Sequence, residues 1–195
     1  MKKIILASGS VYRARALTQL GLEFKVESAN IDESAIAGEL PHQVALRLAH
    51  AKALKVAQHH TDAVIIGADQ VGECNGRRLH KPGDSDTAVG QLCKLSGQRA
   101  EFFSAVVVHD LKAQRTYEEV VTTRLQFRAF SPAEARHYVA LDQPFDCAGG
   151  FKVESAGIAL FSHVAAEDPS ALIGLPMIAL LKQLAACDIN PLQPA

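Results

Sequence analysis

The first residues able to do chemistry stand where a short apolar run breaks, at Ser8-Gly9-Ser10 followed by Arg13. A strand that turns into a helix leaves unpaired backbone N–H groups at the positive helix end, which suits an anion such as phosphate. Glycine lets the backbone approach closely, and the hydroxyls of Ser8 and Ser10 add donors. Arg13, one turn further on, can reach back with its planar fork. Asp69-Gln70 follows the apolar run Ala63 to Ala68. A carboxylate just past a strand end can hold a hard divalent cation or act as a general base. Asp32-Glu33 is a second acidic pair, and carboxylates from separate segments converging on one metal suit triphosphate chemistry. Lys52 and Lys81 are the remaining cations of interest. Taken singly, each has a plainer reading: a capped helix, a turn aspartate, solvated acids, surface lysines.

Composition narrows the classes. The chain has 195 residues, 48% hydrophobic and 21% charged, and so has the composition of a globular protein with a core of its own. That length predicts a single domain, or two closely packed lobes sharing a core. A net charge of -1 with no basic stripe weighs against nucleic acid as a partner, whereas a small anion needs only a few local cations. Cys74, Cys93, Cys147 and Cys187 are widely spaced without a C-x-x-C pair and read as thiols in a reducing compartment. The apolar run Ile4 to Ala7 is too short for the core of a signal peptide. Leu172 to Ala186 carries Pro176, Lys182 and Gln183 and reads as a buried helix, not a membrane span. A cytoplasmic protein with no membrane partner is expected.

The elements that must position these residues follow from periodicity and punctuation. Ile4 to Ala7 reads as a buried strand, Arg13 to Leu20 as a helix stopped by Gly21, and Glu23 to Glu27 as a second strand. Pro41 opens a helix with Val44, Leu48, Ala51 and Leu54 on its apolar face. Ala63 to Ala68 is the strongest buried strand and ends on Asp69, and Asn75-Gly76 supplies a hairpin turn. Asp84 or Ser85 begins a helix closed by Gly97, and strands follow over Ala100 to His109 and Tyr117 to Phe127. Ser131-Pro132-Ala133-Glu134 is a capping box. A strand over Ile158 to Phe161 and a helix after Pro176 complete an α/β fold with a mixed, twisted sheet flanked by helices.

Read in order, these pieces resemble the Maf family of nucleotide pyrophosphatases over nearly the whole chain. The matching segments are Ile5-Leu6-Ala7-Ser8-Gly9-Ser10 with Arg13, Asp32-Glu33, Leu46-Arg47-Leu48-Ala49 with Lys52-Ala53, Ile66-Gly67-Ala68-Asp69-Gln70, Lys81-Pro82 and Ile173-Gly174-Leu175-Pro176. Asp69-Gln70-Val71, Cys147-Ala148-Gly149-Gly150-Phe151-Lys152 and Glu154 are similar to the YceF-type branch, associated with 7-methyl-GTP. The sequence departs from the family pattern at Val11, where proline is frequent, at Ala14, a second arginine, and at Ala171, a threonine. Tyr12 stands where the branch commonly has tryptophan.

The resemblance implies a sheet split by a cleft into two lobes (an ITPase-like architecture), a homodimer, and a divalent cation, Mg²⁺ or Mn²⁺. It implies hydrolysis of a nucleoside triphosphate to its monophosphate and pyrophosphate, with Asp69 as proton acceptor. Tyr12, Gln70 and Glu154 fall at the positions that set base specificity. In the mechanism so implied, Glu33 and Asp69 hold the metal while Arg13, Lys52, Lys81 and Lys152 offset charge on the phosphates. The rival readings are the same reaction on dTTP, UTP or another modified nucleotide, and a nucleotide-binding regulator with little turnover.

Overall fold

The computed structural model describes residues 2–34 and 36–193. The order of elements is β1 (Lys3–Leu6), α1 (Val11–Thr18), β2 (Lys25–Val26), α2 (Pro41–Ala57), β3 (Ala63–Cys74), β4 (Arg77–Leu79), α3 (Ser85–Leu95), β5 (Arg99–Asp110), β6 (Arg115–Phe127), α4 (Pro132–Asp142), β7 (Phe161–Ala166) and α5 (Met177–Ala185). Short 3-10 turns over Ala156–Leu160 and Pro169–Ile173 precede β7 and α5. Among the described residues the strands form one mixed sheet of seven, in the order β2-β1-β3-β5-β6-β7, with β4 paired to β3.

β3 is longer than its apolar run predicts. The strand does not stop at Asp69 but continues to Cys74, because its neighbour on one edge is replaced along its length. β1 pairs with it in parallel from Lys3↔Ala63 to Leu6↔Ile66, and β4 takes over in antiparallel from Gly72↔Leu79 to Cys74↔Arg77. The β3–β4 hairpin closes at Asn75-Gly76, both with positive φ (53° and 72°), the geometry of a type I′ turn. Asp69 and Gln70 lie in the interval that neither neighbour occupies.

Other differences are local. The run Ile158 to Phe161 is not a strand: Ala156–Leu160 forms a 3-10 turn and the strand begins at Phe161. A Cβ on Gly157 would lie 2.3 Å from the Lys152 carbonyl oxygen, so the chain turns there against its own backbone. The second strand shrinks to Lys25–Val26. α2 buries Val44, Ala45, Leu48, Ala49, Lys52, Ala53 and Val56, and Leu54, expected on its apolar face, is exposed.

The chain forms two compact units. One comprises Met1–Gln70, Ser104–Val121 and Asp168–Ala195, the other Val71–Phe103 and Thr122–Glu167. In the first, Ile4, Leu6, Val64, Ile66, Ala68, Val106 and Val108 pack with Leu17 of α1 and with Leu180 and Leu184 of α5. The two-residue period puts alternate side chains on the other face, toward α2. There Gly67 admits the helix: a Cβ would stand 2.2 Å from the Ala49 carbonyl oxygen and 2.9 Å from the Ala53 Cβ. Each large aliphatic side chain buried in this way contributes roughly 1.5–3 kcal/mol. In the second unit, Phe127 meets Phe130 and Phe151 edge-on and Phe161 at a tilt, and Phe102 meets Phe151 edge-on at 5.4 Å. α3 packs on α4, each begun by a side-chain cap, Asp84 and Ser131.

Candidate active site

The close approach of α2 to β3 brings Lys52 over Asp69, one alternation along the strand from Gly67. The ammonium of Lys52 donates to Asp69 Oδ1 at 2.7 Å and lies 2.6 Å from Glu33 Oε1. Lys52 and Asp69 are both buried, whereas the Glu33 side chain is half open to solvent. A lysine that reads as a surface residue in the sequence is therefore the buried link between two carboxylates. Burying a charge is costly unless it is paired, and here the pairing is double.

Glu33 is positioned by its loop. The Ser34 backbone N–H donates to Asp32 Oδ1 at 2.9 Å, a local turn that holds the Asp32 carboxyl below its ordinary value, chiefly through Ser34. Arg47 of α2 donates to the Ser34 carbonyl at 3.0 Å and forks onto both oxygens of Glu39. The Leu46-Arg47-Leu48-Ala49 segment thus supplies a clasp for the acidic loop, a role its sequence pattern does not disclose.

Arg13 binds two backbone carbonyls and one hydroxyl. Its Nε donates to the Gly174 carbonyl at 2.8 Å, and one terminal nitrogen donates to the Ala68 carbonyl at 2.9 Å and to Ser8 Oγ at 3.1 Å. Burial lowers its pKa from the ordinary arginine value, opposed by the carboxylates of Asp69 and Glu33. Arginine stays charged regardless, so its positive field reaches both carboxylates. Ser8 is buried and also accepts from the Ser10 N–H, while Ser10 caps α1 by accepting from the Arg13 N–H at 3.4 Å. Tyr12 lies in the first turn of α1, half-buried. Of the two departures beside it, Val11 is exposed and Ala14 packs against the core.

Gln70 faces away from Asp69, because neighbours in a strand point to opposite sides. Its Nε2 donates to Ser104 Oγ (2.9 Å), to the Ala171 carbonyl (3.0 Å) and to the Leu172 carbonyl (3.2 Å). Ser104, wholly buried on β5, in turn donates to the Ala171 carbonyl at 2.7 Å. The Ala171 departure is thus neutral for this contact, since the residue acts through its carbonyl. The turn that offers these carbonyls is held by buried Asp168, which accepts from Ser170 N–H and Oγ–H and from the N–H groups of Ile178 and Ala179. Sequence patterns missed Ser104 and Asp168, since a lone Ser in a strand and an Asp before Pro carry no spacing signal.

The remaining expected residues lie in the second unit. Lys81 is exposed beside buried Pro82. The segment around it is tied to residues 145–150 by Gly83 N–H to the Phe145 carbonyl (2.9 Å) and Gly149 N–H to the His80 carbonyl (3.2 Å). Lys152 turns its ammonium onto the C-terminal end of α4, donating to the Asp142 carbonyl at 2.9 Å, where a cation suits the helix dipole. Its backbone N–H donates to Tyr138 Oη at 2.8 Å, and burial pushes the Tyr138 phenol well up. Glu154 is exposed.

As metal donors, Glu33 and Asp69 are hard oxygens reaching the same point, now held by Lys52. Among the described residues no group of three or more His, Cys, Asp or Glu side chains is arranged to hold a metal ion. Two carboxylates without a closed cage fit an ion such as Mg²⁺, which keeps waters and shares itself with substrate phosphates.

A capped helix start after a serine-glycine turn, beside a buried carboxylate–ammonium–carboxylate cluster on a mixed sheet, defines an α/β protein built to handle phosphate. The chain belongs to the Maf family: the family model described as Maf-like protein matches residues 3–187. It is 46% identical over 191 residues to the 7-methyl-GTP pyrophosphatase of Idiomarina loihiensis, covering 97% of this chain and 96% of that protein. It is 45% identical over 190 residues to the 7-methyl-GTP pyrophosphatase of Methylobacillus flagellatus, covering 97% and 99%. Among solved structures, that of the Staphylococcus aureus Ham1 protein matches with a TM-score of 0.53 at 15% identity, covering 96% of this chain and all of the other, a shared fold.

Proposed function

We propose that this chain is a nucleoside triphosphate pyrophosphatase that hydrolyses 7-methyl-GTP to 7-methyl-GMP and pyrophosphate. The relatives of that name, similar along nearly their whole length, support the substrate. The observation that carries the chemistry is the buried contact between Lys52 and Asp69, with Glu33 on the same ammonium.

Water attacks the α-phosphorus, and Asp69 orients it and takes its proton. Pyrophosphate leaves as the α–β bond breaks. Lys52 and Lys81 offset the charge that grows on the phosphate oxygens, and removing one such cation typically costs ~3 kcal/mol of barrier by analogy with oxyanion donors. Ser8 and Ser10 shape the phosphate loop, while Arg13 fixes that loop and supplies a positive field. A divalent cation, Mg²⁺ or Mn²⁺, would be held by Glu33 and Asp69 and would neutralise phosphate charge there. Tyr12, Gln70 and Glu154 recognise the base. N7 methylation makes the ring cationic, so the Tyr12 face gains ~1–2 kcal/mol from stacking and the Glu154 carboxylate offsets the charge. In this reading Lys152 acts by ordering its loop through α4. The protein works as a cytoplasmic homodimer. Among the described residues no helix is long and apolar enough to cross a membrane.

The test is pyrophosphate release from 7-methyl-GTP, GTP, dTTP, UTP and CTP with Mg²⁺ or Mn²⁺. A clear preference for 7-methyl-GTP is expected. Preference for another base overturns the substrate, and tight binding with no turnover overturns the reaction.

A further inference from the structure

We propose that Lys52 is the resident cation of the Glu33–Asp69 pair, so that a divalent ion binds there tightly only together with a polyphosphate. The inference rests on the reading that these two carboxylates take a metal. The Lys52 ammonium already stands 2.6 Å from Glu33 Oε1 and 2.7 Å from Asp69 Oδ1, and its side chain is only 8% exposed. An ion that ligates both carboxylates through these two oxygens takes the ammonium's place. A buried lysine expelled from both partners loses its compensation, which free metal alone cannot restore.

Charge leads to the same conclusion. The two carboxylates are already opposed by Lys52 in direct contact and by the field of Arg13, whose charge both stabilise. A divalent ion added while both cations stay in place brings positive charge into a partly buried pair that is already compensated. A bound triphosphate reverses this, because its oxygens accept the displaced ammonium and its charge balances the ion. Lysine suits such an exchange, being a compact charge on a flexible four-carbon stem. Among the described residues no third His, Cys, Asp or Glu joins the pair, so the bare ion has two protein carboxylates and no closed cage. Binding of metal and triphosphate is then mutually reinforcing, each raising the affinity of the other by the same factor.

The experiment measures Mn²⁺ binding to the whole chain by electron paramagnetic resonance and calorimetry, without nucleotide, for wild type, Lys52→Met and Lys52→Arg. Lys52→Met is expected to tighten Mn²⁺ binding at least tenfold, while Lys52→Arg stays as weak as wild type. A second measurement needs no substitution: wild type should bind a non-hydrolysable α,β-methylene triphosphate analogue at least tenfold more tightly with saturating Mn²⁺ than with chelator. Mn²⁺ binding by a folded Lys52→Met no tighter than wild type overturns the proposal, as does analogue binding indifferent to Mn²⁺. If 7-methyl-GTP is hydrolysed while either of these results holds, the resident-cation role falls and the pyrophosphatase stands. If the coupling is found with no triphosphate hydrolysed, the pyrophosphatase reading falls and the resident cation stands.

Discussion

The Nε of Arg13 donates to the carbonyl oxygen of Gly174 at 2.8 Å, joining residues 161 positions apart in the chain. The same guanidinium holds Ala68 and Ser8, so one side chain fixes the phosphate loop, the strand before Asp69 and the turn before α5. An arginine one turn into a helix reads as a ligand for phosphate; here its partners are two carbonyls and the Ser8 hydroxyl, and its first task is to align three segments of the site. Arg13→Met should leave the Ala68 and Gly174 carbonyls without this donor. Expected is a loss of ~2–4 kcal/mol of stability, as for charged hydrogen bonds to partly buried groups, read from urea unfolding. A variant as stable as wild type would show that these bonds do not hold the segments together.

Asp69→Asn tests the proton acceptor. The amide keeps the size of the carboxylate but cannot accept the proton of the attacking water. A fall in kcat of ~10²–10⁴ is expected, the range of positioned general bases. The contact between Lys52 and Glu33 is retained, so thermal unfolding should confirm a folded protein. Turnover near wild type would remove Asp69 from the chemistry.

Gly67→Ala tests how the site is assembled. The added Cβ would meet the Ala49 carbonyl oxygen at 2.2 Å, and backbone cannot step aside as a flexible side chain could. α2 must move off β3, carrying Lys52 away from Asp69. A stability loss of ~1–3 kcal/mol is expected from overpacking, together with a drop in kcat, although residue 67 has no chemistry of its own. Calorimetry and steady-state kinetics on the same preparation check it, and unchanged kcat would show that the helix position is not limiting.

Much of this was open to reading in the sequence, for reasons that also mark the limit. Ser8, Arg13, Glu33, Lys52 and Asp69 are of types that carry charge or bind anions, and their order along the chain is distinctive. Punctuation located the Asn75-Gly76 hairpin and the Ser131 capping box, because local backbone geometry demands those residues. β3 outran its apolar stretch because its length is set by β4, a partner that periodicity within β3 does not reveal. Lys52 read as a surface residue because its burial depends on Gly67 and Ala49, which let the helix approach. Arg47, Ser104 and Asp168 act through contacts with the backbone of distant segments, which no spacing rule encodes.

Acid stability should depend on Asp110. Burial raises its carboxyl, but the hydrogen bond and charge of Lys2, 2.9 Å away, and the Ala113 N–H outweigh that and leave it below the ordinary aspartate value. A group depressed in the folded state contributes fully above its unfolded pKa of about 3.9 and loses that contribution as pH falls through the native value. Asp110→Asn should therefore be less stable by about 1–3 kcal/mol at neutral pH, and the gap should begin to narrow below roughly pH 4 and close as pH falls through the native value. Urea unfolding of both proteins across acid pH measures it. A gap independent of pH would assign the loss to packing.

The polarity of the Gln70 amide is fixed by its surroundings. Its Nε2 is surrounded by two carbonyl oxygens and by Ser104 Oγ, whose own hydrogen is committed to Ala171. Carbonyls only accept, so the amide cannot be reversed without placing Oε1 against them. The side chain is left with Oε1 as its outward atom and can offer a base only an acceptor, complementary to the ring N–H and amino group of guanine. Ser104→Ala removes one of the three acceptors and weakens this lock, and Ser104→Thr keeps the hydroxyl. Expected for Ser104→Ala is a several-fold fall in the kcat/KM preference for 7-methyl-GTP over dTTP, carried mainly by KM, since a neutral hydrogen bond is worth ~1 kcal/mol. Ser104→Thr should recover it. A general loss of activity on both nucleotides, with the preference intact, would make Ser104 a packing residue and nothing more.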